Sequence, residues 1–218
     1  GNAIGVWMHV LAAQWILTER REPAVVVGLV PAAVSIPFLL LALPMGVLAG
    51  HANRERLMAQ AMALAAVSSA LTCGVVATGR DDVWSLVASV IVIGVGLVSV
   101  GIAWQSLLPE TVPPRLVGSA AVVDGAAFNS ARAVGPVLAG IGLSQVGPTA
   151  VFAVNAALFG ASAAGMALAG RRWPSRTRAR EPLAAAIAAG LRFARHSPWT
   201  RRLLVRMVGF GLPSSCLW

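Results

Sequence analysis

Three polar or charged residues interrupt one long apolar stretch, at residues 119–144 (SAAVVDGAAFNSARAVGPVLAGIGLS). The stretch could cross a bilayer as a helix, for which about 20 residues suffice, yet it carries Asp124, Asn129 and Arg132. A charge at bilayer depth costs at least about 2.5–3.5 kcal/mol, so it normally faces a bundle interior, a partner or a watery cavity. We expect Asn129 and Arg132 to line such a cavity. Gly135-Pro136 then loosens the helix and removes one backbone donor.

The two charged groups allow more than one chemistry. Arg132 could pair with Asp124, about two helical turns away, or with Glu110, or its planar donor fork could bind an anionic or carbonyl-bearing ligand. Asp124 could be a solvated acid at a helix end, or a carboxylate that binds and releases a proton during transport. Asp124 and Arg132 are therefore the candidates for proton coupling, and the structural alternatives stay open.

Other chemistry-bearing residues are isolated along the chain. Trp7, Gln14, Trp104 and Gln105 lie within apolar runs. We predict that Gln14 and Gln105 line a cavity because buried amides need partners. Trp104 and Trp7 could line the same cavity or lie at a membrane interface, where tryptophan is common. His9 and His51 have no second ligand at helical spacing, which argues against a metal site. The sequence shows no Gly-rich phosphate loop and no nucleophile–base constellation. We therefore expect neither a cofactor nor an enzyme.

The composition is that of an integral membrane protein. Hydrophobic residues make up 57% of the chain and charged residues 11%, whereas soluble domains carry about 25% charged residues. The net charge of +9 comes from 17 basic residues, all arginines. Most of them lie in short segments between apolar runs, which indicates membrane topology rather than nucleic-acid binding.

Six apolar runs predict an all-α membrane bundle over residues 1–170. The runs are 2–17, 24–49, 57–78, 83–108, 119–144 and 149–170, and the full ones have the length of transmembrane helices rather than of barrel strands. Residues 171–200 predict a basic loop with an amphipathic helix over 181–196. Residues 201–218 predict the truncated start of a seventh span. We expect the chain to be a fragment of a longer protein.

Arginine counts predict the orientation. Segments 50–56, 109–115 and 171–202 hold twelve arginines, and the remaining turns hold three. Basic residues favour the cytoplasmic side, so the first set is predicted to be cytoplasmic, with most of the bias in 171–202.

Several short strings resemble the major facilitator superfamily, in the bacterial exporter branch that includes the enterobactin exporter and proteins classed as multidrug exporters. They are GVWMH (5–9), AQW (13–15), GVLAGHANRER (46–56), AWQSLLPE (103–110), FNSARAVGP (128–136), FAVNA (152–156) and GLRFARHSP (190–198). The resemblance implies the N-terminal half of a twelve-helix transporter whose halves rock around a central cavity. Spans one, four and five would line that cavity.

The resemblance also assigns a conformational motif and shows two departures. Gly46, Arg54 and Arg56 fall in the motif between spans two and three, and Gly135-Pro136 matches part of a span-five antiporter motif. Gly50 and His51 stand where the first motif has an acid and an arginine. Asp124 stands where this branch is expected to have asparagine.

The functional expectation is proton-coupled export of amphipathic small molecules or a siderophore across the bacterial inner membrane. Its partners would be the substrate, protons, lipid and the C-terminal half of the same chain, with no nucleic acid. One alternative is import of an organic anion or nutrient. Another is a non-transporting scaffold or truncated pseudo-transporter.

Overall fold

The computed structural model describes residues 2–51 and 53–172, together with a few single residues further on: Arg192, His196, Ser197, Arg202, Val205, Arg206 and Gly209. The chain divides into two compact units, Gly1–Arg178 and Ala179–Trp218. Residues 2–51 and 53–172 all belong to the first unit. Apart from those single residues and the backbone of residues 171–172, the predicted basic loop, its amphipathic helix and the seventh span lie outside the described residues.

The described part of the first unit is helical, with no strand in residues 2–51 or 53–172. Its elements are α1 (Asn2–Glu19), α2 (Ala24–His51), α3 (Arg54–Ala77), α4 (Val83–Thr111), a 3₁₀ turn (Pro114–Leu116) and α5 (Val117–Arg172). Each α-helix begins within three residues of the start of one of the first five predicted apolar runs. The predicted cytoplasmic segments 50–56 and 109–115 are shorter as loops than expected, because α2, α3 and α4 extend into them.

Side-chain caps fix two of the helix starts. Asn53 accepts a hydrogen bond from the backbone N–H of Arg56 at 2.7 Å. Asp82 accepts one from Ser85 N–H at 3.1 Å, and Ser85 Oγ accepts one from the Asp82 backbone N–H at 3.2 Å, which completes a capping box. The Asp82 carboxyl lies in the turn outside the apolar helices. Its pKa is lowered mainly by the hydrogen bond from the Ser85 side chain and, to a smaller extent, by the one from the Ser85 backbone.

Helix α5 breaks at Gly147 and turns back. Gly147 has φ 81° and ψ 173°, a conformation that glycine adopts readily. A Cβ added to Gly142 would lie 2.8 Å from Val151, although nine residues span about 13.5 Å along a straight helix. Segments 117–146 and 148–172 therefore form a hairpin, and its bend falls in the turn predicted at residues 146–148.

The helices pack around a main core, and a smaller apolar cluster of Ala49, Met58 and Ala103 joins α2, α3 and α4. α1 and α3 pack against α5, α2 packs against α4, and α3 also packs against α4. Gly94 permits the close approach of α4 to α2, because a Cβ there would lie 2.8 Å from the Val34 carbonyl. A Cβ on Gly96 would lie 3.4 Å from the Ala61 carbonyl of α3, which is an ordinary contact distance. Small residues at such contacts are typical of helix packing in membranes.

Four stretches are long and apolar enough to cross a membrane. They are Ala24–Gly50, Arg54–Ala77, Val83–Thr111 and Pro114–Gly170. The last is 57 residues long and contains the bend at Gly147. Large apolar side chains on these helices point outward, among them Leu39, which is 85% exposed. Several such stretches in one chain make it a multi-pass membrane protein. The count of six spans stays a prediction, since α1 has 18 residues and is not one of the four stretches.

Candidate functional site

Arg132 lies over an aromatic ring of α1. Its Cζ is 5.1 Å from the centroid of Trp7, within cation–π range. The contact is possible because Gly135, one helical turn further on, lets α5 approach α1: a Cβ there would be 2.8 Å from Trp7 Cβ and 2.9 Å from the Ile4 carbonyl. Arg132 is exposed, while the indole nitrogen of Trp7 is buried and has no hydrogen-bond partner in the described part of the chain.

Asp124 is joined to α4. Its Oδ1 accepts a hydrogen bond from Trp104 Nε1 at 2.9 Å, and both residues are half-buried. The structure therefore brings together two pairs of predicted site residues or their neighbours, Arg132 with Trp7 and Asp124 with Trp104. The sequence proposed Asp124 or Glu110 as partners of Arg132. Asp124 accepts a hydrogen bond from Trp104, and Glu110 forms an ion pair with Arg54; the pairing of Arg132 with either carboxylate stays a prediction.

The remaining predicted cavity residues take different positions. Asn129 is exposed on α5 and donates to the Gly125 carbonyl of its own helix at 2.8 Å. Gln14 is half-buried on α1, and Gln105 is exposed on α4 beside Trp104. None of these three belongs to the two pairs.

The motif between α2 and α3 is built around Arg54. Its side chain is 9% exposed and forms a 2.8 Å ion pair with Glu110. Arg54 Nε also donates to the Ala49 carbonyl at 3.0 Å, and Nη1 donates to the Ser106 carbonyl at 3.4 Å. One guanidinium thus joins the ends of α2 and α4 to the start of α3. Gly46 and Arg56, the other predicted members, are exposed.

At the other end of the unit a second arginine joins two helices. Arg20 Nη2 lies 2.6 Å from Asp81 Oδ2, and Nη1 donates to the Asp81 carbonyl. The Asp81 side chain is 4% exposed, and that of Arg20 is 39% exposed. The pair connects the end of α1 to the turn before α4.

Sequence reasoning treated His9 as a lone polar group, but it lies in the core. It is fully buried, with Nδ1 3.3 Å from Ser69 Oγ and Nε2 3.0 Å from Ser89 Oγ. Ser69 donates to the Phe152 carbonyl at 3.2 Å, and the Phe152 ring meets the His9 ring edge to face at 4.8 Å. The network ties α1 to α3, α4 and α5. The signal that could have revealed it is the pair of serines within otherwise apolar runs.

Two buried groups near these contacts lack partners. Asn155 is fully buried against Gly5, and neither its Oδ1 nor its Nδ2 has a hydrogen-bond partner in the described residues. Glu55 is 6% exposed, and its Oε2 is likewise without a partner there. Within residues 2–51 and 53–172 no cluster of three His, Cys, Asp or Glu side chains is arranged to hold a metal.

A family profile described as transmembrane secretion effector matches residues 1–218. The chain belongs to this family. Its members are membrane transporters of the major facilitator type rather than enzymes, which agrees with the expected superfamily. No curated protein and no solved structure matches the chain. The charged contacts of Arg132, Asp124 and Arg54 therefore lie in the helices of a transporter.

Proposed function

We propose that this secretion-effector family member exports amphipathic small molecules or a siderophore in exchange for protons. The observation that carries the proposal is Arg132, a charged and exposed side chain in an apolar helix, held over Trp7 of a second helix. A charge inside a membrane helix marks a substrate or ion pathway by default. Asn129 lies nearly one helical turn from Arg132 and adds an amide to the same helix.

Asp124 is the proposed proton carrier. Its Oδ1 accepts a hydrogen bond from Trp104, and a bond of this kind is stronger when the carboxylate carries a charge than when it is neutral. Protonation of Asp124 would remove the negative charge and weaken the hydrogen bond with the Trp104 indole. A proton bound to Asp124 would thus be linked to the contact between α4 and α5. In this proposal Gln14 and Gln105 supply further polar groups to the substrate path.

We further propose a bacterial inner-membrane protein with six spans in residues 1–170 and segments 50–56, 109–115 and 171–202 in the cytoplasm. A second half of the same chain would complete the cavity. Arg54 and Glu110 support a conformational role for the motif between α2 and α3, because they lock three helix ends at one side of the unit. Glu110 would thus supply the ion pair with Arg54 that the motif's missing acid does not make.

The test uses the full reading frame that encodes this chain, expressed in a bacterium stripped of its own efflux pumps. Accumulation of fluorescent amphipathic compounds is followed with and without an uncoupler. Export predicts lower accumulation, which the uncoupler abolishes. Asp124→Asn should remove that energy dependence, and Asp82→Asn, the same change in an exposed turn, should retain it. Higher accumulation would indicate the importer, and no change over a broad panel including siderophores would favour the non-transporting scaffold.

A further inference from the structure

A groove between α3 and segment 148–172 has none of the proposed substrate-path residues in its lining. The lining combines two polar side chains of α3, Arg56 and Gln60, with apolar walls that are mostly alanine. The groove has a volume of about 620 Å³, in the range of about 300–1,000 Å³ that is usual for ligand sites. Its α3 side runs from Asn53 to Ala63, about 15 Å along the helix axis. The groove therefore leads from the polar start of α3 into its apolar part.

The polar end of this α3–α5 groove carries one charge, and that charge is positive. Arg56 is the one ionisable residue in the lining, and Gln60 lies one helical turn further along the same face. Both side chains are exposed, and the hydrogen bonds and ion pairs of residues 2–51 and 53–172 involve neither the Arg56 guanidinium nor the Gln60 amide. Glu55 packs against Gly170, is 6% exposed and is not part of the lining. A planar guanidinium with an amide beside it suits a phosphate group.

The apolar end of the groove is open to the bilayer. Leu64 of α3 adjoins the lining residue Ala63, and Leu168 of α5 adjoins the lining residue Ala167. Both leucine side chains are exposed, and large apolar side chains on the outside of a membrane helix meet lipid tails. An occupant of this groove therefore comes from the bilayer rather than from water.

A ligand that matches both ends carries a phosphate at one end and a hydrocarbon chain at the other. Segment 50–56 is predicted to be cytoplasmic, and basic pockets between transmembrane helices on that side bind anionic headgroups. We propose that the α3–α5 groove binds an anionic phospholipid of the cytoplasmic leaflet. The Arg56 guanidinium holds its phosphate, the Gln60 amide bonds to its headgroup, and one acyl chain lies along the alanine walls. Because the lipid contacts both helices, it joins the start of α3 to the end of α5.

The experiment counts lipids bound to the chain. The detergent-solubilised chain is titrated with dioleoylphosphatidylglycerol, and native mass spectrometry gives the affinity for the first lipid bound. Dioleoylphosphatidylcholine and dioleoylphosphatidylethanolamine are the matched probes, because they carry the same chains and phosphate under a zwitterionic headgroup. We expect phosphatidylglycerol to bind about fivefold more tightly than either, which is the contribution of one arginine near an anionic headgroup.

Charge variants locate the headgroup. Arg56→Gln should lower the affinity for phosphatidylglycerol about fivefold and leave that for phosphatidylcholine unchanged. Arg56→Lys keeps the charge without the planar fork and should retain part of the preference. Arg115→Gln is the matched control, since Arg115 is an exposed arginine in a segment predicted to lie on the same side of the membrane, outside the groove lining. This control should have no effect.

A second pair of variants locates the acyl chain. Ala63→Leu fills part of the groove and should weaken all three lipids by a common factor, about fourfold for each methylene displaced. Ala70→Leu adds the same bulk at an exposed position two turns further along α3, outside the lining. It should leave the affinities unchanged.

Three results would overturn the inference: equal affinities for the three lipids, equal losses in Arg56→Gln and Arg115→Gln, or equal losses in Ala63→Leu and Ala70→Leu. Displacement of the lipid by an equal concentration of soluble glycerophosphoglycerol, the same headgroup without chains, would assign the groove to an anion from water and also overturn it. Lipid counting measures no transport, so its outcome is independent of the accumulation assay that tests export.

Discussion

Replacing Gly135 by alanine tests how closely α1 approaches α5 beneath Arg132. The new Cβ would stand 2.8 Å from Trp7 Cβ and 2.9 Å from the Ile4 carbonyl, where ordinary contacts begin at 3.4 Å. The atoms it meets belong to or adjoin the α1 backbone, so no flexible side chain can move aside. α1 must shift by several tenths of an ångström, and Trp7 moves with it.

Gly140 provides the matched control in the same half of α5. A Cβ there meets nothing within 4 Å. Gly→Ala in a helix stabilises by about 0.5–1 kcal/mol, and this gain is common to both sites. Overpacking typically costs about 1–3 kcal/mol. The free energy of unfolding of Gly135→Ala should therefore lie about 1–3 kcal/mol below that of Gly140→Ala, since the helix contribution cancels in the difference.

The assay is thermal unfolding of the detergent-solubilised chain, followed by circular dichroism of the helices. For chains of this size 1 kcal/mol corresponds to about 2–4 °C, so the two midpoints should differ by about 2–12 °C, with Gly140→Ala above the unmodified chain. Midpoints that coincide, or a higher midpoint for Gly135→Ala, would refute the close approach of α1 and α5. The stacking of Arg132 on Trp7 would then lose its structural basis.

Three further predictions concern charges at the helix ends. Arg54→Ala should lower the free energy of unfolding by about 2–3 kcal/mol because its hydrogen bonds to two carbonyls are lost. Glu110→Gln should lower it by under about 1 kcal/mol, since the Glu110 side chain is 54% exposed. Equal losses in the two variants would contradict this ranking. Arg20→Ala should cost about 2–4 kcal/mol because it leaves buried Asp81 unpaired, and Arg20→Lys should recover part of that loss in the same melts. The lowered pKa of Asp82 stabilises the fold above the ordinary value of 3.8, and this contribution is lost as pH falls from there through the folded-state pKa. Melting midpoints of Asp82→Asn should therefore fall less steeply than those of the unmodified chain over that acidic range, and parallel curves would count against the capping box.

The helices were largely predictable because their apolar runs are long and their turns are marked by charge, glycine or proline. The bend at Gly147 follows from Gly147-Pro148, and the site residues Asp124 and Arg132 stood out as charges in an apolar run. The sequence did not indicate which residues contact Asp124 and Arg132. The helices are apolar on nearly every side, so the sequence does not show which face meets a neighbour and which meets lipid, whose tails are as apolar as the interior.

The missed contacts share this cause. Trp7 and Trp104 were assigned to a cavity or an interface, but their pairing with particular charges depends on the rotation of α1 and α4 about their axes. The His9 network requires four helices, α1, α3, α4 and α5, to converge at one level. Arg54 of the motif pairs with Glu110 of a different helix, and a local motif comparison between α2 and α3 does not include that position.

The single-residue bend at Gly147 also bears on how the protein enters its membrane. No polar loop separates segment 117–146 from segment 148–172, so neither segment has its own charged flank at that end to hold it in the headgroup region. The two segments should therefore leave the translocation channel together as one hairpin. During synthesis Asp124 and Arg132 would then pass into lipid with segment 148–172 already beside them. A polar insertion at Gly147 should delay or divide that step, and glycosylation sites placed there would show it.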